Sequence, residues 1–399
     1  MIHVLFLLFG STDCAAVSRE NVVQCAQAQS PTLLAEQASV RAGEGRRDAA
    51  RPFLPSNPVV SASVASRTSA QASALNWYVT LEQQLEIAGQ SWVRTEAAER
   101  ELEAARHQLL VARAEVAELV WNAFFLALAS KERAALATEV QRASAAVAAT
   151  VEGMRANGLA SPVEASVADA AAVRATQNRL GLERQRREAL TRLATLLARE
   201  GLSDLDGVLE PLNVEGDATT RPERLALEAL REAATKRIES LKRDRAPNPT
   251  LSVFAQNDGF DERVLGVGVG LPIPLPQPVG RTNAGQIAEA VALEERARAQ
   301  LLQLERSLGA EKTLAAADLE DRKQARALYS RERLERARAG LVALTEQLQA
   351  GRLSVREALT TQQALVELLE ADVDARLALC VASVRWRRAQ GLSLEGGAL

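Results

Sequence analysis

PTLLAEQASVRAGEGRR (residues 31–47) and PERLALEALREAATKRI (residues 222–238) are one stretch written twice. At an offset of 191, Pro31 falls on Pro222, Leu34 on Leu225, Ala35 on Ala226, Ala38 on Ala229, Ala42 on Ala233 and Arg46 on Arg237. The register runs on without gaps to Asn57-Pro58 on Asn248-Pro249 and Ser61 on Ser252. Self-similarity at a fixed period marks a duplicated structural unit. Two copies are expected, over residues 17–210 and 211–391, with a short tail at 392–399.

Prolines divide each copy. They leave residues 59–161, 163–210 and 279–399 free, and these stretches are rich in Ala, Leu, Glu and Arg, as long helices require. In the first, Ala98, Leu102, Ala105, Leu109, Ala112, Val116, Leu119, Ala123 and Leu126 recur at alternating spacings of four and three. That is a heptad seam, with alanines that let neighbouring helices approach closely. A helix over about 92–156 would be roughly 95 Å long at 1.5 Å per residue, too long for a compact domain. Ala297, Leu301, Leu304 and Leu308 repeat the rhythm in a second long helix expected over about 283–350. Trp121, Phe124 and Phe125 read as packing side chains on the first.

Between the Asn-Pro pairs and the long helices the period changes to two, the mark of a strand with two unlike faces. Val60, Ala62 and Val64 alternate with Ser61 and Ser63; Leu75, Trp77, Val79 and Leu81 alternate with Asn76, Tyr78, Thr80 and Glu82. In the second copy Leu251, Val253 and Ala255 alternate with Ser252, Phe254 and Gln256, and Leu265, Val267, Val269, Leu271 and Ile273 with Gly266, Gly268 and Gly270. The four strands are expected at about 58–66, 75–85, 249–256 and 264–274. Each is long enough to cross a bilayer when tilted. A bilayer accepts strands only in a closed barrel, because an open edge leaves backbone groups unsatisfied in hydrocarbon. Four strands close no useful barrel, so this reading requires an oligomer.

At the far ends of the long helices, at an offset of 193, Gly158-Leu159-Ala160-Ser161-Pro162-Val163-Glu164-Ala165 matches Gly351-Arg352-Leu353-Ser354-Val355-Arg356-Glu357-Ala358. Glycine after a helix is a favoured stop, and Ser followed three residues later by Glu is a capping box. Pro162 falls at the first helical position, where its missing N–H costs nothing. Sharp reversals are expected at 157–161 and 351–353, with return helices over about 162–200 and 354–391. Gly266-Val267-Gly268-Val269-Gly270 is no phosphate loop, because Leu271-Pro272-Ile273-Pro274-Leu275-Pro276 follows where a helix N-terminus would be needed.

Composition narrows the function. With 48 Lys plus Arg against 51 Asp plus Glu, interspersed, no basic face for nucleic acid stands out. Two His, three Cys and two Met cannot build a Cys- or His-rich metal site in one chain. No catalytic triad, Cys–His pair or HExxH arrangement occurs, so neither an enzyme nor a cofactor is expected. His107 reads as an exposed helix residue, and Cys25 and Cys380 as buried free thiols, with nothing in the sequence to pair them. Residues 2–9 (IHVLFLLF) resemble the apolar core of a secretory signal, expected over 1–16, although a basic start is missing. Asp13 is a poor neighbour for lipidation of Cys14.

The doubled Asn-Pro before a strand, the Arg221-Pro222-Glu223 start of the second unit and the G-x-x-S-x-x-E-A turns resemble the TolC family of outer-membrane factors. The closest resemblance is to its branch serving heavy-metal and multidrug pumps, and it covers residues 18 to 391. It implies a mainly α-helical fold with membrane β-hairpins, assembled as a homotrimer with a twelve-stranded β-barrel and an α-helical barrel. It also implies an outer-membrane exit duct of a tripartite efflux system, in contact with outer-membrane lipid and carrying metal cations or drugs. The turns, through Gly158, Leu159, Ser161, Pro162, Gly351, Leu353 and Ser354, would form a periplasmic tip. That tip would meet a periplasmic adaptor (membrane fusion) protein and, through it, an inner-membrane efflux pump. Glu357 matches a position where family members narrow the tip with acidic side chains, whereas Thr360 stands where some carry a second carboxylate. The competing reading is a periplasmic coiled-coil adaptor or structural protein without its own pore.

Overall fold

The computed structural model describes residues 14, 16–68, 70, 73–216, 219–257, 262–273, 275 and 283–394. It is mainly helical with one small antiparallel sheet. In chain order the elements are α1 (Val22–Gln29), α2 (Pro31–Ala50), β1 (Val59–Thr68), β2 (Ser73–Gln84), α3 (Gln90–Ala156) and α4 (Pro162–Leu196). There follow α5 (Pro222–Arg243), β3 (Thr250–Asn257), β4 (Arg263–Gly270), α6 (Ala284–Ala327), α7 (Arg331–Gln349) and α8 (Val355–Gln390). The chain divides into two compact units that do not coincide with the sequence halves. One gathers residues 1–34, 111–221 and 307–399, the other 35–110 and 222–306. Each half of the chain thus runs through both units.

The second unit carries the sheet, in the order β1-β2-β3-β4 with every neighbour antiparallel. Its helices pack on small side chains: Ala104, Ala226, Ala229, Ala233, Ala290 and Ala297 are all buried. Gly43 lets Leu102 approach so closely that an added Cβ would sit 3.2 Å from Leu102 Cδ1. Arg46–Glu101 (3.4 Å), Arg100–Glu232 (3.2 Å) and Lys236–Glu96 (3.0 Å) tie the polar sides of these helices, each partly exposed and worth little alone. The sheet meets α3 through Gln90, which is fully buried. Its Nε2 donates to Asn248 Oδ1 at 2.8 Å, and its Oε1 accepts from the Ala88 N–H at 2.9 Å. The Pro249 carbonyl accepts from the Leu85 N–H at 2.9 Å. The second Asn-Pro pair therefore joins the first long helix to the strands.

In the first unit the core has two centres. Trp121, Phe124 and Phe125 on α3 pack together with ring centroids 5.4 to 6.0 Å apart, Trp121 stacked on Phe125 and Phe124 edge-on to both, and all are at most 1% exposed. Trp121 Nε1 donates to the Leu394 carbonyl at 2.9 Å. Gly207 lies against Phe124, Leu205, Leu209 and Leu212 around it are buried, and Ser383 Oγ pins this stretch by accepting from the Leu212 N–H at 2.9 Å. The second centre joins Val147 and Val151 (α3), Ala168 (α4), Leu341, Leu344 and Leu348 (α7) and Ala358 and Leu369 (α8). Gln362 Nε2 donates to Ser144 Oγ at 2.6 Å inside it, so its buried amide is not left unpaired.

Four expectations are corrected. The second long helix is not continuous over 283–350: it stops at Ala327 and restarts at Arg331, with Ser330 capping α7 by accepting from the Arg333 N–H. Cys25 is not a free thiol but is bonded to Cys14, while Cys380 is free and buried, its thiol pushed up to about 12 by desolvation. His107 is half-buried, because α3 packs on more than one face; its Nδ1 has no hydrogen-bond partner. The return helix α4 ends at Leu196, and Ala198 turns into the left-handed region at φ 49°. The expected signal segment lies outside the described residues except for Cys14 and Ala16, as does most of the 392–399 tail.

Candidate functional site

Two places carry functional geometry, the sheet in one unit and the helix reversals in the other.

In the sheet, pairing register fixes which side chains share a face. Val60 lies opposite Leu81, Ala62 opposite Val79 and Val64 opposite Trp77. Leu81 lies opposite Val253 and Val79 opposite Ala255, and these in turn face Val267 and Leu265. One face is therefore apolar across all four strands. It is also open: Val60 and Val64 are 68% exposed, Leu265 83%, Val267 76% and Val269 74%. Exposed apolar surfaces of this extent are rare on soluble monomers and mark interaction or membrane surfaces. The opposite face holds Ser61, Ser63, Asn76, Thr80, Glu82, Ser252, Gln256 and the β4 glycines, with Tyr78 and Phe254 among them. Both β1 and β4 are edges of this sheet. Their outward backbone groups need partners wherever water is excluded.

The two reversals are built alike. After α3, Gly158 adopts φ 74° and the Leu159 N–H donates to the Met154 carbonyl at 2.8 Å, closing the helix end as the left-handed residue allows. Ser161 then opens α4: its Oγ accepts from the Glu164 N–H at 3.2 Å, and Glu164 Oε2 accepts from the Ser161 N–H at 2.7 Å. Pro162 is the first helical residue. After α7, Gly351 adopts φ 67° and the Arg352 N–H donates to the Gln347 carbonyl at 3.0 Å. Ser354 Oγ accepts from the Glu357 N–H at 3.3 Å, and Glu357 Oε2 accepts from the Ser354 N–H at 2.8 Å. A Cβ at either glycine would meet nothing within 4 Å, so backbone conformation alone selects glycine there.

The surfaces differ more than the turns. Leu159 and Val163 are 73% and 71% exposed, whereas Leu353 packs against the core below and Val355 is buried. Of the eight residues expected at the tip, Leu353 is thus a packing residue, and Leu159 is the apolar side chain that is offered outward. Glu357 is exposed, with its carboxylate held by its own helix start; those hydrogen bonds keep it below the usual carboxylate range. Thr360 returns its hydroxyl to the Arg356 carbonyl at 3.0 Å. Among the described residues no group of three or more His, Cys, Asp or Glu could hold a metal ion, and no helix is long and apolar enough to cross a membrane.

The fold, with long helices, tight reversals and a small two-faced sheet, is similar to that of solved outer-membrane channels. The structure of CusC superposes with a TM-score of 0.78 at 16% identity, covering 95% of this chain and 93% of that one. The open state of the Neisseria gonorrhoeae MtrE outer membrane channel gives 0.75 at 18% identity, over 96% and 91%. The Vibrio cholerae outer membrane protein VceC gives 0.71 at 19%, over 94% and 96%. Residues 22–199 match the family model described as outer membrane efflux protein. A comparison with curated protein sequences finds no match.

Proposed function

We propose that this chain is an outer membrane efflux protein, three copies of which close a twelve-stranded barrel in the outer membrane. The helices of the trimer would form a tunnel on the periplasmic side, as the exit duct of a tripartite efflux pump. One observation carries the proposal: the sheet's continuous, exposed apolar face backed by a polar one. The apolar face fits lipid and the polar face a water-filled lumen, while the unpaired edges of β1 and β4 fit pairing between copies. The reversals at Gly158 and Gly351 would be the tip that docks a periplasmic adaptor, with Leu159, Ser161, Pro162 and Ser354 at its surface. Through the adaptor, an inner-membrane pump would deliver metal cations or drugs. A ring of three Glu357 side chains would narrow the tip.

Membrane fractionation, native mass and planar-bilayer recording test this together. A detergent-extracted trimer that conducts is the expected result, and a monomeric, salt-soluble product would overturn it. For the gate, Glu357→Gln is the informative change, because Gln keeps the capping box while removing the charge. The variant should raise basal conductance or reduce preference for cations, and the matching Glu164→Gln should do neither. Equal currents and selectivity in both variants and the parent would remove Glu357 from the gate.

A further inference from the structure

On the polar face of the sheet, two rings stand among hydroxyls, amides and glycines. Tyr78 and Phe254 have centroids 5.8 Å apart, inclined at 35°. The outer end of the Phe254 ring covers Gly266, where an added Cβ would collide with Cζ, so only glycine leaves room for it. Thr80, directly opposite Phe254 and next to Tyr78 on the same face of β2, is 2% exposed, and its Oγ1 has no hydrogen-bond partner. A covered, unsatisfied hydroxyl on an otherwise wet face shows how much water the pair excludes.

One residue pair further along β2, on the same face, is Glu82, opposite Ser252. Successive same-face residues on a strand are about 6.8 Å apart, so Glu82 stands one step from the Thr80–Phe254 pair, diagonal to the Phe254 ring, with Tyr78 one step further on. Glu82 is exposed and makes no ion pair among the described residues. It is also the only carboxylate on the polar face of the described strands. The only cation there, Arg67, is at the opposite end of β1, since Glu82 pairs with Val59 and Arg67 with Ala74. Aromatic faces attract cations within about 6 Å, more so when partly desolvated. A lone carboxylate beside them adds a fixed negative charge.

We propose that Tyr78, Phe254 and Glu82 form a subsite for organic cations on the channel wall, with the rings as its floor and Glu82 as its counter-charge. The role as a wall rests on the barrel reading above; the binding chemistry does not. The subsite would make the duct discriminate among the molecules it passes, favouring flat or lipophilic cations over anions of the same size.

Tetraphenylphosphonium, with the isosteric anion tetraphenylborate as control, tests this on the full-length protein in detergent by equilibrium dialysis and in planar bilayers by current block. The cation should bind and block the parent. Glu82→Gln should weaken both by about tenfold, and Phe254→Leu, which still covers Gly266, by a few-fold. Tetraphenylborate should bind no better to the parent than to Glu82→Gln. Equal cation binding by the parent and both variants would overturn the subsite and leave the channel intact, and so would equal binding of the two probes. Cation binding that depends on Glu82 in a protein that carries no current would leave the subsite standing and overturn the channel.

Discussion

The first long helix and its sequence counterpart differ over one stretch, although both carry heptad seams and end in matching turns. At the offset of the turns, Trp121, Phe124 and Phe125 correspond to Leu314, Ala317 and Asp318. The aromatics are at most 1% exposed, whereas Leu314 is 70% exposed and Asp318 pairs with Arg322 on its own helix. Further along, Ala137, buried in an unbroken α3, corresponds to Ser330, which caps α7 after the break. Alanine favours continuing a helix and serine favours starting one. The carbonyls freed by the break are met by side chains: Arg326 Nη1 donates to Tyr329 O at 2.6 Å, and Arg333 donates to Leu328 O. A heptad pattern therefore fixes which face packs, while continuity depends on what anchors that face and on the residue at each potential cap.

The largest effect that would sharpen this contrast lies in the anchor. Trp121→Ala removes a fully buried ring and its hydrogen bond to Leu394, and should cost about 3–5 kcal/mol in denaturant unfolding. Leu314→Ala, at the matching position, should change stability by less than about 0.5 kcal/mol. Comparable losses at both sites would mean that Leu314 is buried in the assembled protein, and the contrast would then belong to the single chain alone.

A smaller effect is expected at the break itself. Asp372 on α8, 6% exposed, lies 3.1 Å from Arg326 Nη1 at the end of α6 and 3.1 Å from Arg376 Nε. Arg376 also donates to Glu132 Oε1 on α3 at 3.0 Å. The position on α4 that matches Asp372 is Arg179, so the first copy cannot make this network. Asp372→Ala leaves two arginines short of a carboxylate. Full burial would make that cost 3–5 kcal/mol, but both arginines reach solvent in part, which lowers the expectation to about 2 kcal/mol. Arg179→Ala should be silent by the same unfolding measurement. No change on losing Asp372 would show that the interruption of the helix is held by Ser330 alone.

What was legible in the sequence follows from how local each cause is. Heptads, period-two alternation and the spacing of prolines each act within one or two turns or strands, and they exposed the long helices, the strands and both capped reversals. The break escaped because neither Gly nor Pro marks it; its signals were Ser330 with Glu332 in the following turn, and they are weak when read alone. The Cys14–Cys25 bond depends on where Cys14 lies against α1, which spacing does not reveal. Phe254 and Tyr78 were each placed on the polar face of a strand, yet their stacking, with Glu82 alongside, needed the β2–β3 register. The turn residues were read from capping chemistry, which says how the chain turns but not that Leu353 packs inward while Leu159 is exposed.

The smallest effect concerns the feature on which the two halves agree. Glu164 and Glu357 each accept from the backbone N–H and are engaged by the side chain of a capping serine, and these bonds lower both carboxyls from the ordinary 4.5. A carboxyl with a lowered folded-state pKa stabilises the cap wherever it is ionised, above its unfolded value. That contribution fades as pH falls below 4.5 and through the folded value. Acidification should therefore loosen the starts of α4 and α8 over the same window. Amide hydrogen exchange across residues 158–168 and 351–361, corrected for intrinsic rates, would follow this between about pH 6 and pH 3. Glu164→Gln and Glu357→Gln should abolish the pH dependence, each at its own turn, and Ser161→Ala and Ser354→Ala should only weaken it, because the backbone N–H still bonds the carboxylate. If the Glu357 turn alone kept its protection at low pH, its carboxylate would have to be held at the tip by something other than its cap. The two reversals would then differ in chemistry as the two long helices differ in continuity.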